Sequence, residues 1–227
     1  MIKINLITLK RLITFGLGVI ILSCSREKLV QSPSEQEGVI EELHLLSGPL
    51  KDDWERAAIE RGGSFHITEG VMKLEVGEYM SGVTWKGELP ARIDYEIELE
   101  ARRTGGQDIF LGLTIPVGPD HCSWICGGWG GDLVGISNLD EMSAADNDTT
   151  NFYTFEEARW YHCRIRVRPD RIRCWIDGEV VVDVDITGRE ISMFYSDIEE
   201  TVPFGLATYD AEAEYRNLIW RTLEPSQ

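Results

Sequence analysis

The sequence predicts an all-β domain built as a two-sheet antiparallel β-sandwich. Short runs of alternating apolar and polar residues recur along most of the 227-residue chain, and this period of two is typical of strands with one buried face. Glycine, proline and aspartate separate the runs, as they do at tight turns. Many short strands with few helices indicate a sandwich or a barrel, of which we predict the sandwich.

The first strand signals lie between residues 71 and 115. Runs at residues 71–76 and 81–85 are separated by a glycine, and residues 93–101 alternate cleanly. Residues 109–115 are apolar on both faces and end at Pro116. A run that is apolar on both faces predicts a central strand, and the proline predicts the turn that closes it.

The clearest hairpin comprises residues 160–167 and 171–176, which Pro169-Asp170 joins. Asp177-Gly178 predicts a second tight turn into a strand at residues 180–184. Strands at residues 204–208 and 213–222 close the chain, and only residues 51–61 look helical. We place the whole sandwich in one domain, residues 44–224.

The N-terminal 23 residues have the composition of an export signal. The apolar run at residues 12–22 is shorter than the about 20 residues that span a bilayer. Residues 21–24 resemble the lipobox of bacterial lipoproteins, which implies that Cys24 is the first mature residue and carries the lipid. Alternatively the signal is a plain one and Cys24 is incidental. We expect a protein of the bacterial cell envelope that is held to the membrane by this lipid anchor only and faces the periplasm or the exterior.

The chain beyond the signal is polar at first and acidic overall. Residues 24–43 begin with the lipidated cysteine and are mostly polar, so they predict a flexible tether. Without residues 1–23 the chain has 19 basic and 39 acidic residues, a net charge of −20. Such a surface repels polyanions, and we therefore predict no nucleic-acid partner. Solubility of an exported protein is a simpler reason for the same charge.

Cysteines beyond the anchor are even in number, which in an exported chain indicates up to two disulfides. Their connectivity is open among three arrangements. Cys163 and Cys174 share the inward face of the predicted hairpin, so we favour a bridge between them if they lie directly opposite. Cys122 and Cys126 are the remaining pair. Buried free thiols are the alternative.

Several segments together resemble a known family. They are residues 159–162, 171–179, 203–208 and 213–218, with weaker support from residues 50–54 and 94–100. The resemblance is to the 3-keto-disaccharide hydrolase domain, which belongs with the concanavalin A-like lectin/glucanase and laminin G-like jelly rolls. It implies a jelly-roll sandwich and a saccharide ligand. Residues 122–150 depart from the family's pattern and look closer to laminin G-like relatives, so no catalytic set is carried over.

A row of glutamates is the first candidate for chemistry. Glu96, Glu98 and Glu100 share one face of the predicted strand, at a spacing of about 6.6–6.8 Å. Glycosidases hold their two carboxyl groups about 5–5.5 Å or about 6.5–9.5 Å apart, so these residues are candidate catalytic acids. The pattern also resembles a strand of the laminarinase-like glucanases. The alternative is an ordinary solvent-facing strand.

A tryptophan–glycine segment is the candidate ligand site. Glycines flank Trp129 and leave its indole free to serve as a flat platform, while Asp132 could accept hydrogen bonds from sugar hydroxyls. Trp175, on the outward face of the hairpin, is expected to join the same surface. Alternatively, Trp129 plugs one end of the sandwich.

The polar loop at residues 140–151 is a weak candidate metal site. Asp146 and Asp148 offer hard oxygen donors of the kind that calcium prefers, although an ordinary polar loop explains them too. No cofactor is required, and Ca²⁺ is the ion expected if one binds. Outward arginines on the hairpin form a basic stripe, which either meets acidic glycans or pairs with carboxylates on adjacent strands.

These observations predict an exported lipoprotein whose jelly-roll domain binds a saccharide or glycan and could cleave a glycosidic bond. A noncatalytic laminin G-like glycan-binding or adhesion module is the alternative, as is a structural envelope protein. A groove that holds these glutamates beside Trp129 or Trp175 would favour an enzyme, whereas exposed aromatic residues without a convergent carboxylate pair would favour binding alone.

Overall fold

The predicted sandwich is confirmed. The computed structural model describes residues 38–226, which form two antiparallel sheets packed face to face. The predicted signal, Cys24 and most of the predicted tether lie outside these residues. Within them, no helix is both long and apolar enough to cross a bilayer.

Most of the strands are short, and β6 and β15 are the two long ones among the described residues. In chain order they are β1 (Val39–His44), β2 (Trp54–Arg56), β3 (Phe65–Thr68), β4 (Val71–Leu74), β5 (Met80–Trp85), β6 (Tyr95–Gly106), β7 (Leu111–Val117), β8 (Asp120–Gly127), β9 (Leu133–Ser137), β10 (Asn151–Phe152), β11 (Tyr161–Val167), β12 (Arg171–Ile176), β13 (Glu179–Asp185), β14 (Gly205–Tyr209) and β15 (Ala211–Leu223). Gly48–Asp53 and Asp197–Thr201 form 3₁₀ turns, and Gly128–Gly131 form a tight turn between β8 and β9.

The strand order of each sheet follows from the pairing of the described residues. Sheet A runs β13-β12-β11-β6-β15-β4-β3, and β1 pairs with a second stretch of β15. Sheet B runs β10-β9-β8-β7-β14-β5-β2. β7 is therefore a central strand, as predicted, although it continues through Pro116 to Val117 before it turns.

The core lies between the two sheets. On β6 the side chains of Tyr95, Ile97 and Leu99 are completely buried, and they alternate with glutamates that face outward. Tyr95 stacks on Trp220 of β15 with ring centroids 4.4 Å apart. The period of two in the sequence thus marks which face of each strand packs inward.

The predicted hairpin is confirmed as β11 and β12, but the predicted bridge across it is wrong. Cys163 lies opposite Ile176, and Cys174 lies opposite Ile165. The two cysteines share the inward face without facing each other directly, and both are free thiols. A disulfide needs its two Cα atoms within about 7 Å. The alternation in the sequence showed that both cysteines face inward. The register between β11 and β12, which keeps the two cysteines from lying opposite each other, depends on the turn that joins these strands.

The second predicted cysteine pair does not form a bridge either. Cys122 and Cys126 are four residues apart on the same strand, β8, which separates them by about 13 Å. Both are buried free thiols, the alternative to disulfides. Burial raises the pKa of Cys122 to about 12, so this thiol stays protonated and unreactive at neutral pH.

Two element boundaries differ from prediction. Residues 51–61 do not form an α-helix: residues 51–53 end the 3₁₀ turn Gly48–Asp53, and Trp54 then begins β2 and pairs with Trp85 of β5. The sandwich also starts earlier than residue 44, since β1 occupies part of the predicted tether and pairs with residues 219–223. β1 is held by backbone pairing and by a bond from Arg221 Nε to Glu42 Oε2 of 2.7 Å, which leave no apolar signature in the sequence.

Candidate ligand-binding cleft

An open cleft of about 350 Å³ lies on the outer face of sheet B. Ser123 and Ile125 of β8 contribute to it, and they alternate with Cys122 and Trp124, which point into the core. The floor is apolar and consists of Met80, Ile109, Ile125 and Ile198. These side chains belong to a second hydrophobic cluster that is separate from the main core. The cleft has a volume within the range of small-molecule sites.

Small residues on sheet B explain how neighbouring segments can lie on this face. A Cβ atom at Gly112 would be 3.2 Å from Ile198 Cδ1, and one at Gly135 would be 3.0 Å from the Ala144 carbonyl oxygen. Glycine at both positions therefore lets the 3₁₀ turn Asp197–Thr201 and the loop after β9 pack directly on the sheet. The uncovered part of the face is the cleft.

Aromatic side chains form the walls of the cleft. Trp129, Phe194 and Tyr209 line it and are 51%, 42% and 38% exposed, respectively. Trp129 sits in the turn after β8 with a φ of 48°, the left-handed region that few side chains adopt. Among residues 38–226 its indole has no hydrogen bond, ion pair or ring contact. The predicted platform at Trp129 is therefore exposed and available.

Asp108 holds the Trp129 turn in place. Its Oδ1 accepts the Ile109 N–H at 2.9 Å, and its Oδ2 accepts the Gly130 N–H at 3.3 Å. The carboxylate thus ties the loop before β7 to the turn after β8, and it also lines the cleft. It is the one carboxylate lining the cleft in the part of the chain that the structure describes.

The serine hydroxyls of the cleft already have partners within the protein. Ser123 Oγ lies 3.1 Å from Thr114 Oγ1, and Ser137 Oγ donates to Asn138 Oδ1 at 2.8 Å. Ser196 Oγ accepts the Ile198 N–H at 3.4 Å. The polar groups still open to a ligand are consequently found mainly at the rim, on the Trp129 turn and its neighbours.

The three predicted catalytic glutamates lie on the other sheet. Glu96, Glu98 and Glu100 project from the outer face of sheet A, because their neighbours on β6 point into the core. The whole sandwich separates them from the cleft. These carboxylates and Trp129 therefore do not share one hollow face, the arrangement that would have favoured an enzyme, because outward residues of facing sheets end on opposite surfaces.

Arginines of neighbouring strands engage these glutamates. Glu96 is only 5% exposed and accepts from Arg166 Nε at 2.9 Å, with Arg164 and Arg221 nearby at 3.5 and 3.7 Å. Glu100 pairs with Arg216 at 2.8 Å. The basic stripe thus pairs with carboxylates on adjacent strands, one of its two expected roles, and the arrangement favours a structural role for this face.

Glu98 and His162 form a pair that depends on pH. The hydrogen bond from His162 at 2.8 Å, together with Arg221, lowers the pKa of Glu98 to about 2. The same bond raises the pKa of His162 above its ordinary 6.5. Each residue therefore favours the charged form of the other.

We expect Glu98→Gln to lower the free energy of unfolding by at most about 1 kcal/mol, because the pair is partly exposed. The loss should be largest between pH 4.5 and 6.5, the ordinary values of the two groups. The carboxylate's contribution fades as pH falls towards 2, and the histidine's fades as pH rises through its raised pKa. Urea unfolding across pH measures this, with exposed Glu141→Gln as the control. A pH-independent loss would contradict it.

The other two predicted ligand residues do not line the cleft. Trp175 lies on sheet A, is nearly buried, and is covered by the Arg164 guanidinium 4.0 Å above its ring. Asp132 comes after the Trp129 turn and is exposed; its backbone N–H donates to the Gly128 carbonyl, and its own carbonyl accepts the Tyr153 N–H. Of the predicted ligand residues, the structure brings only Trp129 to the cleft.

The predicted calcium ligands have partners within the protein. Arg189 Nη1 donates to both carboxylate oxygens of Asp148, at 2.8 and 2.9 Å. The Ser143 hydroxyl donates to the Asp146 carboxylate at 2.6 Å. The Asn147 amide between them donates to three backbone carbonyls. Residues 38–226 contain no group of three His, Cys, Asp or Glu side chains placed to hold a metal. Calcium binding at this loop stays a prediction.

Sequence reasoning missed most of the cleft. β8 and β9 were not predicted, although Cys122, Trp124 and Cys126 alternate with Ser123 and could have marked a strand. Phe194, Tyr209 and Asp108 come from separate loops and strand ends, and no local pattern connects them.

Comparison with known proteins places the chain in a family. Residues 50–221 match the family described as the 3-keto-alpha-glucoside-1,2-lyase-like domain. The chain belongs to this family. The match confirms the resemblance found in the sequence, and it covers β2 to most of β15.

Solved structures share the fold of this lyase-like domain. A laminarinase from Flavobacterium sp. UMI-01 aligns with a TM-score of 0.52 and 11% identity, over 81% of this chain and 99% of that one. The Crh5 transglycosylase in complex with NAG aligns with a TM-score of 0.53 and 11% identity, over 84% and 87% of the two chains. Identities this low show a common sandwich fold. No protein of curated function matches the sequence.

Proposed function

We propose that this lyase-like domain binds a saccharide in the cleft on sheet B. The observation that carries the proposal is the set of half-exposed aromatic rings, Trp129, Phe194 and Tyr209, around that cleft. Aromatic faces offer a flat apolar surface for the C–H faces of a sugar ring, while hydroxyl and carboxylate groups at the rim can bond its hydroxyls.

The family supports this proposal independently of the cleft. Its description names a 3-keto-alpha-glucoside as the molecule acted on, and the match covers the segments that carry Asp108, Trp129 and Tyr209. The structural neighbours include a laminarinase and a transglycosylase solved with NAG.

Cleavage of a glycosidic bond is the second candidate, and the family match favours it. A 3-keto group acidifies the hydrogen on C2, so a base that removes this proton lets the C1–O bond break, and the leaving alcohol takes up a proton. Asp108 is our candidate base. Hydrolysis by two carboxylates would need a second acid about 5–9.5 Å from it.

One experiment tests both candidates. The full-length protein in mild detergent is titrated calorimetrically with an α-linked disaccharide and with its 3-keto form, and the absorbance of an unsaturated keto sugar is monitored. Saturable heat supports binding, and a rise in ultraviolet absorbance supports elimination. Release of a reducing sugar without absorbance would indicate hydrolysis instead. An absence of heat and of product with every sugar would reject a saccharide function.

We also propose that the domain is exported and anchored through a lipid on Cys24. The support is the signal-like composition of residues 1–23 and the lipobox resemblance of residues 21–24. Placement of the cleft outside the cytoplasm would give it access to glycans. Retention of the protein in the membrane fraction, and its release in Cys24→Ala, checks this proposal.

A further inference from the structure

The cleft floor offers a ligand almost no hydrogen bonds. Met80, Ile109 and Ile198 present only apolar atoms there, and the hydroxyls of Ser123 and Ser137 bond within the protein. A buried hydroxyl without a partner loses its bonds to water without compensation. A fully hydroxylated ring on this floor would therefore bind poorly, whereas an apolar ring would fit.

The rim has the opposite character. The Asp108 carboxylate, the Tyr209 hydroxyl and the Trp129 indole N–H lie around the opening, and within residues 38–226 neither the Tyr209 hydroxyl nor the indole N–H has a hydrogen-bond partner. These groups can bond the hydroxyls of a sugar while the exposed rings of Trp129 and Tyr209 contact its C–H face. The cleft thus separates an apolar floor from a polar, aromatic rim.

The volume of the cleft and the charge of its lining further limit the class of ligand that fits. A cavity of about 150 Å³ accommodates benzene, so a cleft of about 350 Å³ has room for one aromatic ring on the floor and part of a sugar ring above it. No Lys, Arg or His lines the cleft in the described part of the chain, and Asp108 is its one acid. An uncharged ligand is favoured over a phosphorylated or sulfated one.

We propose that the cleft takes a glucoside with a flat apolar aglycone, such as an aryl α-glucoside. The aglycone packs on Ile125 and Ile198, and the sugar lies at the rim against Trp129 and Tyr209. This inference rests on the proposed saccharide function and adds the class of the group attached to the sugar. A second sugar in the aglycone position would instead place its hydroxyls on the floor.

A series of ligands with one sugar and different aglycones tests the inference on the unmodified full-length protein. Methyl, phenyl and 2-naphthyl α-glucoside and maltose are titrated calorimetrically, each also in its 3-keto form, with phenol as the sugar-free probe. Phenyl α-glucoside should bind at least about tenfold more tightly than methyl α-glucoside, because the aryl ring buries additional apolar area. Maltose should bind no more tightly than methyl α-glucoside.

A substitution in the cleft floor tests whether the preference for an aryl aglycone arises there. Ile125→Thr should remove most of the preference for the phenyl over the methyl glucoside, while Phe152→Ala, an exposed ring of β10 outside the cleft, should keep it. Thermal unfolding checks that both variants fold, and the ligand series on the unmodified protein decides the question if one does not.

The outcomes distinguish a failure of the aglycone inference from a failure of the proposed saccharide binding. Equal affinity for methyl and phenyl glucoside overturns the aglycone inference and leaves saccharide binding intact. Binding of phenol as tightly as phenyl glucoside overturns both, since the sugar would then contribute nothing, and so does an absence of binding to every glucoside.

Discussion

Trp129→Ala is expected to weaken saccharide binding at least about tenfold, because it removes the most exposed of the rings that line the cleft. Aromatic anchors carry a large share of the binding energy in such sites, since they bury wide areas at little cost in conformational entropy. Within residues 38–226 the indole packs in no aromatic cluster and makes no hydrogen bond, so stability should change little. Isothermal titration with the tightest-binding sugar measures the effect.

The matched control is Phe152→Ala. Phe152 is 67% exposed on β10 and does not line the cleft, so its removal tests for nonspecific effects of losing an exposed ring. Binding should be unchanged in this variant. Equal affinity of Trp129→Ala and the unmodified protein would show that the saccharide binds elsewhere.

Glu96→Gln is expected to lower the free energy of unfolding by about 3 kcal/mol. Glu96 is almost fully buried, and its carboxylate faces Arg164, Arg166 and Arg221. Removing one partner of a buried ion pair costs about 3–5 kcal/mol, because the remaining charge is desolvated without compensation. Glutamine keeps the shape of the side chain, so the loss reports the charge. Urea unfolding at neutral pH measures it.

Glu100→Gln serves as the comparison for this second prediction. Its partner Arg216 is more than a third exposed, so the loss should not exceed about 1 kcal/mol. Saccharide binding should be unchanged in both variants, because the glutamates lie on sheet A and the cleft on sheet B. A Glu96→Gln protein of unchanged stability that has lost activity would make this residue a catalytic candidate again.

Much of the fold could be predicted because it depends on local chemistry. Alternation over residues 93–101 showed which face of β6 is buried, and Asp177-Gly178, with φ values of 50° and 83°, forms the predicted tight turn. β1 could not be predicted because it depends on pairing with the distant strand β15, and the register of Cys163 and Cys174 could not because it depends on the turn between β11 and β12.

The candidate site was harder to predict than the fold. Trp129 stood out because glycines flank it, and the structure does place it on the cleft. Glu96, Glu98 and Glu100 stood out for a regular spacing that every half-buried strand produces, and arginines from β11 and β15 engage them. Spacing along one strand therefore gave no information on which surface the residues reach.

The sequence by itself determined the family, the sandwich and the inward face of its main strands, and it marked Trp129 as a candidate, since these depend on alternation, turn chemistry and motif. Only the tertiary structure decided that Asp108, Phe194 and Tyr209 meet Trp129 on sheet B while the glutamates lie on sheet A. The physical reason is that a strand's alternation specifies two faces, whereas the stacking of two sheets decides which of those faces remain open to a ligand.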